Sequence, residues 1–334
     1  MCAWLHTPIP WMLGPLFAVA AVRIGGIDIA APKSARYVGQ WVIGSSLGLY
    51  FTPYVVRHVV DLWWLLLLGA ALAIALGYVA GLTLARLARF DKTTGIFASV
   101  PGGASEMTIL GERFGGRMDR IAAAQSLRIL IVVAIVPSVI TAAGFHGSDA
   151  YVQGAKDFDA WGFALLMSLT FAGSVVFQRM RMPNAFVLGS LAVTIPLTAM
   201  SVDLSTMPPL VSNAGQCVLG CALASRFQSD FLRGAHRFVG AVVVTVVMSI
   251  ALSAAFAVAV AWLSGQSAPS LVLGTAPGGM AEMSITAKVL QLGVPLVTAF
   301  HVTRLVVLLL LTPIIFPRAR TWYHARTRQR RTRP

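Results

Sequence analysis

The chain is short of charged residues, of cysteines and of clustered histidines, and each shortage excludes a class of protein. Only 11% of its 334 residues are charged and 57% are hydrophobic, whereas a soluble domain carries roughly 25% charged residues. A soluble globular protein is therefore excluded. Three cysteines (Cys2, Cys217 and Cys221) do not make a disulfide framework. The one-turn spacing of the last two fits small apolar packing or a metal or redox pair.

The six histidines are scattered, and none lies three or four positions from another (His6, His58, His146, His236, His301 and His324). Only His301 falls within an apolar run, where packing or bridging competes with a proton-relay role. A copper or iron oxygenase needs clustered histidine or carboxylate ligands, and no nucleophile–base arrangement is visible either. We therefore expect no enzyme, no metal and no cofactor.

The apolar runs reach about 20 residues without regular period-two alternation, which indicates membrane-spanning helices. The net charge is +14, and the basic residues fall between the runs or at the C-terminus. That distribution is typical of orientation signals and lipid headgroup contacts rather than of nucleic-acid binding. The sequence predicts an all-α polytopic membrane protein that contacts membrane lipid.

One stretch occurs twice. Val100–Met107 carries Pro-Gly-Gly ahead of Glu-Met, and the same pattern returns 176 positions later at Ala276–Met283. Overlaying residues 101–137 on 277–313 needs no gap and gives nine identities. The same offset aligns Gly39-Gln40 with Gly215-Gln216. An internal duplication of this length predicts two structural repeats.

The repeats divide the chain into four parts. We expect a first membrane repeat over 1–144, an extracytoplasmic loop over 145–160, a linking span and second repeat over 161–317, and a basic cytoplasmic tail over 318–334. The leading span of the second half, 161–177, has no counterpart before residue 1. Either the first repeat lacks it or the chain begins upstream.

Basic residues predict the orientation of the repeats. The clusters around residues 23–36, 86–92, 113–120, 179–181 and 226–237 should face the cytoplasm with the tail. That assignment requires each Pro-Gly-Gly segment to enter and leave on one side, as a re-entrant hairpin or broken helix pair. The first then opens from the cytoplasm and the second from outside. The two repeats, of about five elements each, are expected to be inverted, as is common in secondary transporters.

The duplicated motif has a chemical consequence. Pro-Gly-Gly frees backbone groups at membrane depth, and the helix restarting at Ala104 or Met280 points a positive end at the break. Close helix packing and a proline kink are the structural alternative. Glu106 and Glu282 are costly in a membrane. Each is a candidate proton or cation site, a protonated group bonded to the broken backbone, or a neutraliser of the arginine 22 positions on, Arg128 or Arg304.

Gln40 and Gln216 follow a glycine at the start of their runs, where an amide lines a polar cavity or bridges helices. The candidate solute- or ion-binding residues are therefore Pro101, Gly102, Gly103, Ser105, Glu106, Pro277, Gly278, Gly279, Glu282, Arg128, Arg304, Gln40 and Gln216.

The repeated Pro-Gly-Gly-x-x-Glu-Met with Gly-Gln ahead of each copy resembles the membrane AbrB family, the AbrB duplication group. That family also carries the labels ammonia monooxygenase and transition-state regulator. The resemblance covers nearly the whole chain and implies regulation of gene expression. Nothing in the sequence resembles the small DNA-binding regulator of the same name, so we expect no direct nucleic-acid contact.

The leading hypothesis is a secondary transporter or exporter of a small anionic or zwitterionic solute in a bacterial-type cytoplasmic (inner) membrane, with a cytoplasmic C-terminus. The alternative is a membrane-bound sensor or regulator that affects gene expression. An enzyme of the ammonia monooxygenase type is the least favoured reading.

Overall fold

A computed structural model describes residues 9–27, 31–147, 158–202, 204–225 and 236–311. The predicted basic tail and most of the predicted loop over 145–160 lie outside these residues. The described chain forms fourteen helices and no strand, as the prediction of an all-α protein requires. The helices are α1 (Pro10–Ile24), α2 (Lys33–Gly48), α3 (Pro53–Asp61), α4 (Trp63–Ala88), α5 (Lys92–Ser99), α6 (Ala104–Arg113), α7 (Met118–Ala142), α8 (Ala160–Arg179), α9 (Ala185–Ala199), α10 (Pro209–Ala224), α11 (His236–Ser264), α12 (Ala268–Thr275), α13 (Met280–Leu290) and α14 (Val294–Leu311).

Five of these helices are long and apolar enough to cross a membrane: α4, α7, α8, α11 and α14. Their outer faces expose large apolar side chains that water would not favour, such as Leu67 on α4, Leu165 on α8 and Val258 on α11. Hydrocarbon is the solvent that accommodates such faces. The molecule is a helical membrane protein.

Four shorter helices, α1, α2, α9 and α10, form a separate group with α8, which we call the panel. α1 and α2 both pack on α10, and α9 packs on α2 and on α8. α1, α2, α9 and α10 have 15 or 16 residues and are therefore only about 24 Å long, shorter than a hydrocarbon core of roughly 30 Å.

The remaining long helices form a second group around the duplicated motif. α4 packs on α5 and on α11, α11 packs on α12, and α7 packs on α5 and α6. The core between the helices is apolar, and residues such as Phe97, Ile121 and Met283 are fully buried in it.

The helix boundaries repeat the sequence offset. α2, α5, α6 and α7 begin at residues 33, 92, 104 and 118, and α10, α12, α13 and α14 begin at 209, 268, 280 and 294. The packing pairs also exchange between the halves: α1 on α10 corresponds to α9 on α2, and α4 on α5 corresponds to α11 on α12.

Equivalent glycines make the panel crossings close. A β-carbon on Gly44 would lie 2.9 Å from the carbonyl oxygen of Val187, and one on Gly220 would meet the carbonyl oxygen of Met12. Val187 and Met12 occupy corresponding positions of the two halves. Glycine is therefore required at both crossings because the backbones approach within side-chain distance.

The sequence suggested one element over the apolar run from Gly39 to Val56, but the structure has two. α2 ends at Gly48 and the short surface helix α3 begins at Pro53. Proline lacks the N–H that a continuing helix needs, but it is well suited to the first turn of a new one.

Each Pro-Gly-Gly segment separates two helices that fold back on each other. The Arg117 backbone N–H donates to Thr94 Oγ1 at 2.8 Å, and the Phe97 and Phe114 rings stack at 5.9 Å. One continuous helix would hold Phe97 and Phe114 about 25 Å apart. We call α5 with α6 hairpin 1.

α12 with α13 forms hairpin 2 in the same way. A β-carbon on Gly293, which follows α13, would lie 3.3 Å from Ser270 Oγ near the start of α12. Ser270 and Gly293 are the counterparts of Thr94 and Arg117 at the offset of 176.

Candidate functional site

The two hairpin tips are the residues between paired helices, Val100–Gly103 in hairpin 1 and 276–279 in hairpin 2. The methionine of the motif packs under each tip. Met107 and Met283 are buried, and each sulfur lies 3.0 Å from where a β-carbon on Gly102 or Gly278 would stand. The methionine at the end of each motif therefore packs against the Pro-Gly-Gly at its start.

Two buried arginines hold the carbonyl oxygens that the helix breaks release. Arg128 donates to the carbonyl oxygens of Ser99 at 3.1 Å and Val100 at 2.9 Å. Arg304 donates to those of Ala276 at 2.9 Å and Gly278 at 2.7 Å. Carbonyls at a helix C-terminus lack intrahelical partners, so these guanidinium groups complete the ends of α5 and α12.

Gln125 and His301 perform equivalent roles with different chemistry. Gln125 Nε2 donates to the carbonyl oxygens of Phe97 at 2.7 Å and Val100 at 3.0 Å. His301 Nε2 lies 3.1 Å from the carbonyl oxygen of Leu273, the counterpart of Phe97. Although the two halves have different residues at this position, both side chains contact a carbonyl oxygen of the first helix of their hairpin, and His301 bridges to α12.

Glu106 and Glu282 are the third residues of α6 and α13. Each carboxylate folds back to the glycine before its helix. It lies so close that a β-carbon on Gly103 or Gly279 would collide with it. A carboxylate in that place interacts favourably with the positive end of its own helix. The arginines 22 positions on, Arg128 and Arg304, donate the hydrogen bonds to carbonyls described above. Glu282 still acts electrostatically on Arg304.

Both tips border one cavity against the panel. The cavity volume is about 60 Å³, which is enough for a few waters since each needs about 10–15 Å³. The expected site residues that line it are Gln40, Pro101, Gly102, Gly103, Arg128, Gly278, Gly279, Glu282 and Arg304.

Three other expected residues do not reach the cavity: Glu106, Pro277 and Gln216. Glu106 is half-buried and Gln216 is buried on α10. The side chain of Ser105 lies outside the described structure.

Arg36 and Asn184 also line the cavity, from the panel, although the sequence did not predict them as site residues. Arg36 NH2 and Gln40 Nε2 both donate to Asn184 Oδ1 at 3.2 Å. Asn184 precedes α9 in the left-handed conformation, with φ 47°, which asparagine tolerates well. An asparagine directly before an apolar helix is the sequence signal that could have indicated Asn184. Arg36 was interpreted only as one of the basic residues between apolar runs.

The cavity is positively charged. Arg36, Arg128 and Arg304 border it with a single carboxylate, Glu282, and Arg36 also interacts electrostatically with Glu282 and Glu106. The Nε atoms of Arg128 and Arg304 are buried without a hydrogen-bond partner in the described chain. The first residues of α6 and α13 face the same space and add the positive ends of two helices. This arrangement suits a small anion.

Within the residues that the structure describes, no three His, Cys, Asp or Glu side chains converge as a metal site requires. The expectation of no metal and no cofactor remains a prediction.

These features define a helical membrane protein built from two related halves, with a buried polar cavity at the duplicated motif. A family model described as "Transition state regulatory protein AbrB" matches residues 11–320. The chain therefore belongs to the AbrB family, as the motif resemblance predicted.

Two curated proteins resemble the chain along most of their length. "Uncharacterized protein YhjN" of Bacillus subtilis (strain 168) is 25% identical over 335 residues, covering 91% of this chain and 86% of that protein. "Putative regulator AbrB" of Escherichia coli (strain K12) is 22% identical over 313 residues, covering 93% and 90%. No solved structure matches the chain.

Proposed function

We propose that the protein is a secondary transporter or exporter of a small anionic or zwitterionic solute. The observation that carries the proposal is the single cavity where both hairpin tips meet Arg36, Arg128 and Arg304. Helix ends and buried charge at the meeting point of two repeats are the usual construction of a transporter binding site.

The charge of the cavity supports an anion. One guanidinium about 4 Å from a bound anion contributes on the order of 4 kcal/mol at an effective dielectric constant of 20. Arg128 and Arg304 are already oriented by their carbonyl contacts, so a solute would not have to order them. The small cavity volume favours a solute with few heavy atoms.

The proposed topology is two inverted repeats with re-entrant hairpins, hairpin 1 entering from the cytoplasm and hairpin 2 from outside. The exchange of packing pairs between the halves and the positions of the basic residues support this arrangement. It gives a cytoplasmic C-terminus in a bacterial-type inner membrane. The proposed partners are the solute and membrane lipid, with no direct nucleic-acid contact and no chemical conversion of the solute.

The anion site is tested by flux in proteoliposomes. Purified protein should exchange a radiolabelled small anion, drawn from a panel of monocarboxylates, amino acids and phosphate, faster than empty liposomes. Arg36→Gln should raise the KM of that flux, because it removes a cavity charge but keeps a donor for Asn184. Arg86→Gln removes an exposed arginine on α4 and should leave the flux unchanged. Equal KM values for all three proteins would refute the anion site.

Glu282 and Glu106 are the proposed coupling groups, since Glu282 is buried in the cavity and Glu106 holds the equivalent place in hairpin 1. Glu282→Gln or Glu106→Gln should abolish the pH dependence of flux. Unchanged pH dependence in both single variants would remove the coupling role.

The second candidate function is a membrane-bound regulator or sensor, which the name of the Escherichia coli relative favours. The same cavity would then bind a ligand and transmit its presence to a protein partner. That function predicts saturable anion binding by purified protein without net flux.

A further inference from the structure

The two halves are alike in helix boundaries but their hairpins have different surroundings. α13 packs against α2, whereas its counterpart α6 makes no comparable packing with α10 among the described residues. Met280 to Ala287 are all buried, while Ile109, Glu112 and Arg113 of α6 are exposed. An exact two-fold arrangement would make these environments equal, so the structure is displaced toward one side of it.

Lys288 marks the side where the hairpin and the panel are closed. Its Nζ donates to Ser46 Oγ on α2 at 2.8 Å and to Ser212 Oγ on α10 at 3.3 Å. The ammonium also lies 5.8 Å from the centre of the Tyr50 ring. Nothing in the sequence motif pointed to this residue.

The counterparts of these closing residues have different surroundings. At the offset of 176, Lys288 corresponds to Glu112, Ser46 to Ala222 and Ser212 to Arg36. Glu112 is exposed, whereas Ala222 is buried on α10 and Arg36 lines the cavity. Lys288 is therefore held against α2 and α10, while Glu112 at the equivalent place is exposed.

The panel side of the cavity has the same asymmetry. Arg36 and Gln40 line the open cavity, and their counterparts are Ser212 and Gln216. Two of the panel residues at the cavity, Arg36 and Asn184, are half-buried, whereas their counterparts Ser212 and Ile9 are buried. The panel is therefore more tightly packed at Ser212 and Ile9 than at the equivalent places beside the cavity.

We infer that the structure is one of two states, and that the other state exchanges the surroundings of the two hairpins. In that second state α6 packs on α10, Glu112 approaches Ala222 and Arg36, and Lys288 leaves Ser46 and Ser212. The hairpin tips then face Ser212 and Gln216, which become the solute-contacting residues of the panel. Gln216 is a site residue of this second state, which explains its absence from the cavity in the first.

The charges favour the exchange. Glu112 and Arg36 carry opposite charges and would attract each other in the second state. In the first state the equivalent place holds Lys288 with two hydroxyl partners. The inference rests on the proposed function, because transport by alternating access requires the solute site to be reached from both sides.

The test is cross-linking between paired cysteines in a cysteine-free background, with a bifunctional thiol reagent about as long as a lysine side chain. Ser46→Cys/Lys288→Cys reports the observed state, and Glu112→Cys/Ala222→Cys reports the second state. None of these four positions lines the cavity. Single-cysteine variants that elute as monodisperse protein establish that each substitution is tolerated.

Two mismatched pairs, Ser46→Cys/Glu112→Cys and Ala222→Cys/Lys288→Cys, serve as negative controls, because neither state brings their two cysteines together. We expect both matched pairs to cross-link in proteoliposomes at least tenfold faster than the mismatched pairs, and each cross-link to stop flux until the reagent is cleaved.

Flux of the unmodified protein separates the two claims. Flux without a Glu112→Cys/Ala222→Cys cross-link overturns the second state and leaves the transporter proposal standing. Both cross-links without flux in the wild type support two states but overturn transport. A mismatched pair that reacts as fast as the matched ones overturns the inference, because the reagent then reports general mobility.

Discussion

The removal of Arg304 has a magnitude that follows from its contacts. Arg304→Met keeps an apolar side chain of similar length but removes two charge-assisted bonds, at 2.9 Å to the carbonyl oxygen of Ala276 and 2.7 Å to that of Gly278. Such bonds contribute about 1.5–3 kcal/mol each. Part of that sum is recovered because a buried cation no longer has to be desolvated. We expect the free energy of unfolding to fall by about 3 kcal/mol.

The assay is reversible unfolding in mixed micelles by titration with sodium dodecyl sulfate, followed by tryptophan fluorescence. Arg304→Lys should lose about half as much, because an ammonium is a point donor and does not reproduce the planar fork. Arg86→Met, at an exposed position of α4, should stay within about 0.5 kcal/mol of the wild type. If Arg304→Met is as stable as Arg86→Met, the guanidinium does not hold the tip of hairpin 2.

Substitutions of Gly279 and His301 test hairpin 2 further. Gly279→Ala should lower the unfolding free energy by up to about 1 kcal/mol in the same titration, because its β-carbon would push the Glu282 carboxylate away from the positive end of α13. Gly240→Ala meets no atom within 4 Å and should instead raise it by up to about 1 kcal/mol; equal effects would contradict the crowding at Gly279. His301→Gln should be near neutral, because Gln125 makes the equivalent contact in hairpin 1, whereas His301→Leu should cost about 1–3 kcal/mol by leaving a buried carbonyl unpaired. No loss in His301→Leu would show that the contact is unimportant, and equal losses in the two variants would show that glutamine does not reproduce it.

The duplication made the tips accessible to prediction. Pro101 and Pro277 with their glycines are rare in apolar helices, and two copies at one offset predicted where the helices break. The residues that hold the tips, Arg128 and Arg304, were found for the same reason. Their partners were not, because backbone carbonyls carry no sequence signature.

The parts of the site that lack a repeated signal were missed. Arg36 corresponds to Ser212 and Lys288 corresponds to Glu112, so the overlay gives no match at either position. Each reaches its partners through contacts across 76 to 242 positions, such as Lys288 with Ser212 and Ser46. Only the packing of the hairpins on the panel brings them together, and the periodicity of a single helix does not contain that information.

The side of the membrane from which each hairpin enters is the most direct test of the account. Lys92 is the first residue of hairpin 1, Ser267 directly precedes hairpin 2, and both are exposed. In a cysteine-free background expressed in intact bacteria, an impermeant thiol reagent should label Ser267→Cys and should label Lys92→Cys only after the cells are opened. Labelling of both positions from the same side would contradict the inverted repeats and with them the proposed alternating access.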